Sequence, residues 1–388
     1  MDRETSWTVD GLAGLGDGAS ANAASLAGPA CNVDATDGGD PHFEVLGEIE
    51  VGLDPEGVVV DSALERAYVA CSRSDWIAIV DLKTLTRIGT IPVGREPIDI
   101  ALDARTRHVF TANARSDEVS VVDLESEEVI ARIPVGMYPS GLAIDEDGRR
   151  LYSGDSMGCT VSVIDLDSLE RIATVEAELG AGACVVSPHE QRIYCANFVT
   201  ASVTVIDANE LKPIGRYEVD EGPCAVAVHP TRRELYVVNC LASTIARIDT
   251  DAGIVLDELP VPNAPVGLAA AQTGDRLYVA NRGDGSMSIV GLDGMEWARI
   301  PVGAAPGGVC AHPDRPELLL IANAGSSSLT VAIQHLDGPP ASRVEAVQHP
   351  LVGQKMPEFH LPDMTTGEIR HIGEWSEKKY IINFFASW

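Results

Sequence analysis

Three observations predict an all-β fold, a seven-bladed β-propeller of four-stranded antiparallel blades. The first is an internal period: Tyr68, Phe110, Tyr152, Tyr194, Tyr236, Tyr278 and Leu320 follow one another in steps of 42 residues. Self-similarity at such a step marks a repeat architecture, in which each unit buries its apolar face against the next. The second is the content of one repeat, four strand-length runs such as "PSGLAID", "RRLYSGD", "TVSVIDL" and "RIATVEA". They are rich in Val, Ile and Tyr, are separated by turn formers, and show a period of two with no helical stripe. The third is the number of copies, since seven four-stranded units are enough to close a ring.

Taken in chain order, residues 1–42 carry six Asp and one Glu against one Arg and few branched apolar side chains. They read as a disordered acidic leader. Four of the repeats then open with a Gly-x-x-Pro crossing. Pro55, Pro97, Pro139, Pro223 and Pro265 hold the period, Ala181 replaces Pro once, and Pro306 falls one residue early. Gly52, Gly94, Gly136 and Gly303 are expected to supply a backbone conformation that other residues resist, and the Pro to fix φ on entry to the strand. The second strand closes on Cys71, Asn113, Asp155, Asn197, Asn239, Asn281 or Asn323, and the third on Asp81, Asp123, Asp165, Asp207 or Asp249, with Gly291 and Ile333 in the last two copies. Both positions read as residues whose short polar side chains bond the turn that follows. His189, His229 and His312 fall between first and second strands and read as turn residues. Eight outer-strand candidates serve seven blades. The first, residues 43–52, would staple the two ends of the ring together if it completes blade seven, and the last, 342–348, would then begin a linker. The propeller is thus expected over 43–348, with the tail over 349–388.

Composition supplies exclusions. Lys and Arg number 28 against 58 Asp and Glu, a formal net charge of −30. That balance argues against the phosphate contacts of a nucleic-acid binder and against docking on an anionic bilayer. No apolar run is long enough to span a membrane. The sequence as written lacks an apolar leader and implies the cytoplasm; a misassigned start would make it extracytoplasmic. Eight dispersed cysteines suit neither a disulfide scaffold nor zinc spacing. No metal and no cofactor are expected, and the ring is expected to be a monomer.

The motifs "LYVVN" at 235–239 and "LYVAN" at 277–281, with the variants "VFTAN", "IYCAN" and "LLIAN", resemble the YVTN family of propeller repeats over residues 43–348. That resemblance implies a fold more firmly than an activity. Residues 352–388 resemble the opening of a redoxin, a thioredoxin-like domain of the type related to TlpA and alkyl hydroperoxide reductase. The matching residues are Gly353, Pro357, Phe359, Leu361 and Gly367, then Lys378 and Lys379 and the run from Asn383 to Trp388. In that family the next residue is the attacking cysteine, so the resemblance implies a catalytic Cys just past Trp388 and none within this chain.

The site candidates lie on the rim that carries the crossings and the loops between second and third strands. One arc of that rim is charged, with Asp54, Arg73, Asp75, Arg95, Glu96, Arg115 and Asp117. The next is mostly apolar, with Met137, Tyr138, Met157, Phe198, Val199 and Leu241. Such a mouth suits a protein segment or small molecule with a polar and an apolar end. The preferred reading is a binding propeller fused to a thiol-disulfide oxidoreductase with its own redox partner protein; the alternatives are a purely interacting propeller and a lactonase-like hydrolase. Cys184 and Cys195 are expected to face each other on adjacent strands, and Cys224 and Cys240 to be near neighbours.

Overall fold

The computed structural model describes residues 43–262 and 264–335, together with a short hairpin of His360–Pro362 and Ile369–His371. Seven four-stranded antiparallel sheets are present. Blade one is Pro55–Asp61, Arg66–Cys71, Trp76–Asp81 and Thr86–Pro92, hydrogen-bonded in that order. Blades two to six repeat the plan from Pro97, Pro139, Ala181, Pro223 and Pro265. Each first strand packs beside the first strand of the next blade, and Pro306–Ala311 of blade seven lies against Pro55–Asp61, so the ring is closed.

Blade seven consists of Pro306–Ala311, Leu318–Asn323 and Ser328–Gln334, with Phe43–Glu50 as its outermost strand. The register runs from Phe43↔Gln334 to Glu50↔Ser328 with a bulge between Val45 and Gly47, and Ser328 Oγ donates to Glu48 Oε1 at 2.5 Å. The N-terminal candidate therefore closes the ring. The competing candidate at 342–348, the leader and most of the 349–388 tail lie outside the described residues.

The periodic aromatics are the core between blades. Tyr68, Phe110, Tyr152, Tyr194, Tyr236 and Tyr278 are all buried, as is Leu320. Tyr68 of blade one packs with Ile100, Val109 and Val122 of blade two. Burying each such side chain stabilises the ring by about 2 kcal/mol. At the opposite rim, Arg107 pairs with Asp61 at 3.1 Å and Arg149 with Asp103 at 2.8 Å, each pair joining one blade to the next.

Two expectations are corrected. Gly52, Gly94, Gly136 and Gly303 do not adopt a left-handed backbone. They are glycines because a side chain packs onto them. A Cβ at Gly94 would sit 2.6 Å from Asn113 Nδ2, and one at Gly136 would sit 2.5 Å from Asp155 Oδ2. The same side chains overturn the second expectation. Asn113, Asp155, Asn197, Asn239, Asn281 and Asn323 are fully buried and bond across to the third strand rather than into the turn. Asn281 Nδ2 donates to Ser286 Oγ at 3.0 Å and Ser288 Oγ at 2.8 Å, and Asn323 repeats this with Ser328 and Thr330. A short polar side chain closing a strand signals a turn locally, but the closed ring buries it, where its polar atoms require internal partners. The Asp position behaves as expected. Asp81 accepts the N–H groups of Lys83 and Thr84, and Asp249 those of Asp251 and Ala252. The histidines are turn residues too: His229 Nδ1 accepts from the Thr231 and Arg232 N–H groups, and His312 Nδ1 from those of Asp314 and Arg315.

Candidate functional site

Every first strand carries a register shift just after its opening Pro or Ala. A bulge turns the extra residue out of the ladder and re-aims its side chain. Here that residue faces the ring axis. Glu56, Ile98, Ser140, Ala183, Cys224, Val266 and Gly307 all line one axial cavity of about 350 Å³, to which all seven blades contribute.

The wall of this cavity is electrostatically uneven. Arg282, in the rim loop of blade six, reaches across blade seven to Glu56 of blade one. Its Nη1 donates to both carboxylate oxygens and its Nη2 to Oε1, each at 3.2 Å, and Asp54 lies 4.0 Å away. A Cβ at Gly307 would stand 2.7 Å from Glu56 Oε2, so a larger residue there would push the carboxylate aside. Burial raises the Glu56 carboxyl above its usual range, outweighing the Arg282 charge that lowers it. On blade two, Asp99 accepts the N–H groups of Ile100 and Leu142, both at 2.8 Å. Burial pushes it up to about 6 against those two bonds.

That shift has a measurable consequence. A carboxyl whose folded value lies above its unfolded one binds its proton more tightly in the native state. Its contribution to stability is therefore present below the unfolded value and lost as pH rises through the folded one. The wild type should lose about 2 kcal/mol relative to Asp99→Asn between about pH 4 and about pH 7, after discounting for channel water. Urea denaturation of both proteins in steps of pH checks this, and a constant difference would refute it.

The rim candidates lie in the crossings and in the loops between second and third strands. Crossing and rim loop are hydrogen-bonded together: the Ser72 N–H donates to the Asp54 carbonyl, that of Ala114 to Glu96, that of Ser156 to Tyr138 and that of Arg282 to Ala264. The residue before each first strand takes left-handed φ, at 54° for Asp54, 55° for Glu96, 56° for Tyr138, 50° for Ala264 and 48° for Ala305, with Gly180 and Gly222 completing the ring. Non-glycine residues adopt this region at a cost of about 1 kcal/mol or more each. Asp75 and Asp117 help to hold them there, accepting the Glu96 and Tyr138 N–H groups at 2.8 and 2.9 Å. These two carboxylates are braces between adjacent blades. Glu96 is the hub of a second cluster, accepting from the Tyr138 hydroxyl at 2.8 Å and pairing with Arg115. Burial, then Glu96, push the Tyr138 hydroxyl up to about 12. Arg95 donates to the Arg115 carbonyl at 2.7 Å, and Arg73 stands exposed. Met157, Phe198 and Leu241 are exposed along the next arc, beside Met137 and Val199.

Glu56, Asp99 and Arg282 were not among the sequence candidates, although the repeat carries a signal for two of them. Two places after the opening residue, six blades have Gly57, Gly141, Ala183, Ala225, Gly267 and Gly308, and only blade two has an acid, Asp99. Directly after the buried Asn position, the other copies have Ser, Ala, Phe or Cys where blade six has Arg282. A departure from the internal consensus marks a blade given a separate task. Among the described residues no group of three or more His, Cys, Asp or Glu side chains converges to hold a metal ion, the feature that a lactonase-like reading requires.

Fold and mouth together define a seven-bladed β-propeller with an acidic axial cavity. Among solved structures it is similar to hydrazine synthase of Kuenenia stuttgartiensis, at 22% identity and a TM-score of 0.67, over 79% of this chain and 99% of that one. A likeness at that identity shows the fold alone. No family model and no curated protein matches the chain. No helix among the described residues is long and apolar enough to cross a membrane.

Proposed function

We propose that this chain is a binding propeller whose axial mouth takes a protein segment or small molecule with a cationic group beside an apolar one. The supporting observation is the imbalance of the cavity wall. Glu56 and Asp99 line it, and the nearby cation, Arg282, is already committed to Glu56 with Asp54 4.0 Å away. A cation entering beside Asp99 gains a carboxylate that the fold leaves without an ionic partner, in surroundings of low polarity where the attraction is screened less than in water. On the rim, the exposed arc of Met137, Met157, Phe198, Val199 and Leu241 offers apolar contact. Hexylammonium should therefore raise the thermal midpoint by mass action and hexanoate should not. The shift should disappear in Asp99→Asn. Equal shifts from the two ions, or none from either, would refute the reading.

A second reading concerns the whole protein and rests on the likeness of residues 352–388 to a redoxin opening. In it the propeller presents a partner to a thiol-disulfide oxidoreductase whose attacking cysteine follows Trp388. These residues lie outside the described ones except for the short hairpin. The codons after Trp388 test it: Cys-x-x-Cys supports it, and a stop codon removes it.

A further inference from the structure

Four cysteines form two cross-strand neighbour pairs. In blade four, Cys184 and Cys195 are register partners on the first and second strands, both buried, and the Cys184 thiol donates to the Gly182 carbonyl at 3.3 Å. In blade five, Cys224 is the bulged residue between the pairs Pro223↔Asn239 and Ala225↔Val238, and it lines the axial cavity. Cys240 opens the rim loop directly after Asn239, its N–H donating to the Gly222 carbonyl at 2.9 Å. Cys240 thus lies diagonally across the Pro223–Asn239 pair from Cys224, whose thiol donates to the Pro265 and Val266 carbonyls at 3.7 and 3.8 Å, and Cys240 is only half-buried, next to exposed Leu241.

The geometry points to Cys224 and Cys240 as an oxidisable dithiol at the propeller mouth, which closes to a disulfide when a hydroperoxide enters the rim. The two sulfurs have different tasks. The neighbouring Cys240, then burial, raise the Cys224 thiol, while the neighbouring Cys224 lowers that of Cys240, so the thiolate forms on the side that solvent reaches. That thiolate attacks the peroxide. An S–O bond forms, the O–O bond breaks, hydroxide leaves, and Cys240 becomes a sulfenic acid. The Cys224 sulfur then attacks the Cys240 sulfur. The S–S bond forms, the S–O bond breaks, and the departing hydroxide and the thiol proton make water. Overall two thiols and one hydrogen peroxide give one disulfide and two waters, with two electrons passing from sulfur to oxygen. The product ties a channel-wall residue to the rim loop that carries Leu241. Cys184 and Cys195, although register partners, lack an open sulfur through which to begin.

The experiment exposes the full chain to equimolar hydrogen peroxide, blocks remaining thiols with N-ethylmaleimide, and digests with trypsin without reduction. Cleavage after Arg216, Arg232, Arg233 and Arg247 puts Cys224 and Cys240 on separate peptides. The expected product is the linked pair Tyr217–Arg232 and Glu234–Arg247, released by dithiothreitol. In Cys224→Ser, the sulfenic acid on Cys240 should persist long enough for dimedone to capture it. A linkage of Cys184 to Cys195 forming first, or Cys240 remaining fully alkylatable in both wild type and Cys224→Ser, would overturn the assignment.

Discussion

A chain that begins at Val51 should lose cooperative folding. Without Phe43–Glu50, Ser328–Gln334 becomes an open edge, although all but one of its residues are buried in the intact ring. Seven register pairs go with the deleted strand, and the apolar cluster shared by blades seven and one loses Ile49. At about 1 kcal/mol for each of several backbone hydrogen bonds and about 2 kcal/mol for the isoleucine, the loss is on the order of 5 kcal/mol or more. That is comparable with the whole stability of an ordinary domain. Guanidinium denaturation and size-exclusion chromatography are the checks, and a monomer with an unchanged midpoint would contradict the closure described above.

Gly267→Ala should destabilise the protein by about 3–4 kcal/mol, because overpacking against backbone is not relieved by a rotamer change. The added Cβ would lie 1.9 Å from the Gly307 carbonyl oxygen on the neighbouring blade. Gly141, Gly154 and Gly308 repeat this crowding, with distances of 2.4, 2.0 and 2.3 Å to a carbonyl oxygen of the adjacent first strand. Gly215 is the contrast: it lies on an outer strand, where an added Cβ would meet nothing within 4 Å, and its alanine variant should differ from wild type by less than about 0.5 kcal/mol. Thermal or chemical melts of the two variants side by side decide the matter. Equal midpoints would mean that the inner strands have slack.

The repeat unit and the closed ring were legible because both follow from local pattern. The step from Tyr68 to Leu320 counts the blades, and alternation within each run supplies the strands. Less legible was anything that depends on which residues the ring brings together. Asn281 has the composition of a turn residue, and only assembly buries it against Ser286 and Ser288. Gly136 has the look of a conformational hinge, and only the inward position of Asp155 shows that space is what matters there. The rim arcs follow from counting loops, and Asp75 and Asp117 turn out to brace their neighbours. Glu56 and Arg282 stand 226 positions apart in the chain; nothing local pairs them, because the contact exists only after the seventh blade has closed on the first.

Closure by Phe43–Glu50 also orders the history of the molecule. This strand is synthesised before any other in the ring, and its partner Ser328–Gln334 is synthesised after all of them. While ribosomes are working, it is a lone ribbon seeking an edge, and the edge offered by a second nascent copy is identical to its own. Until its Ser328–Gln334 edge exists, the opening ribbon has nothing within its own chain to pair with. Because Phe43 and Gln334 are partners, the stretches before and after the ring also depart from one corner, and whatever is joined to either flank begins as a neighbour of the other.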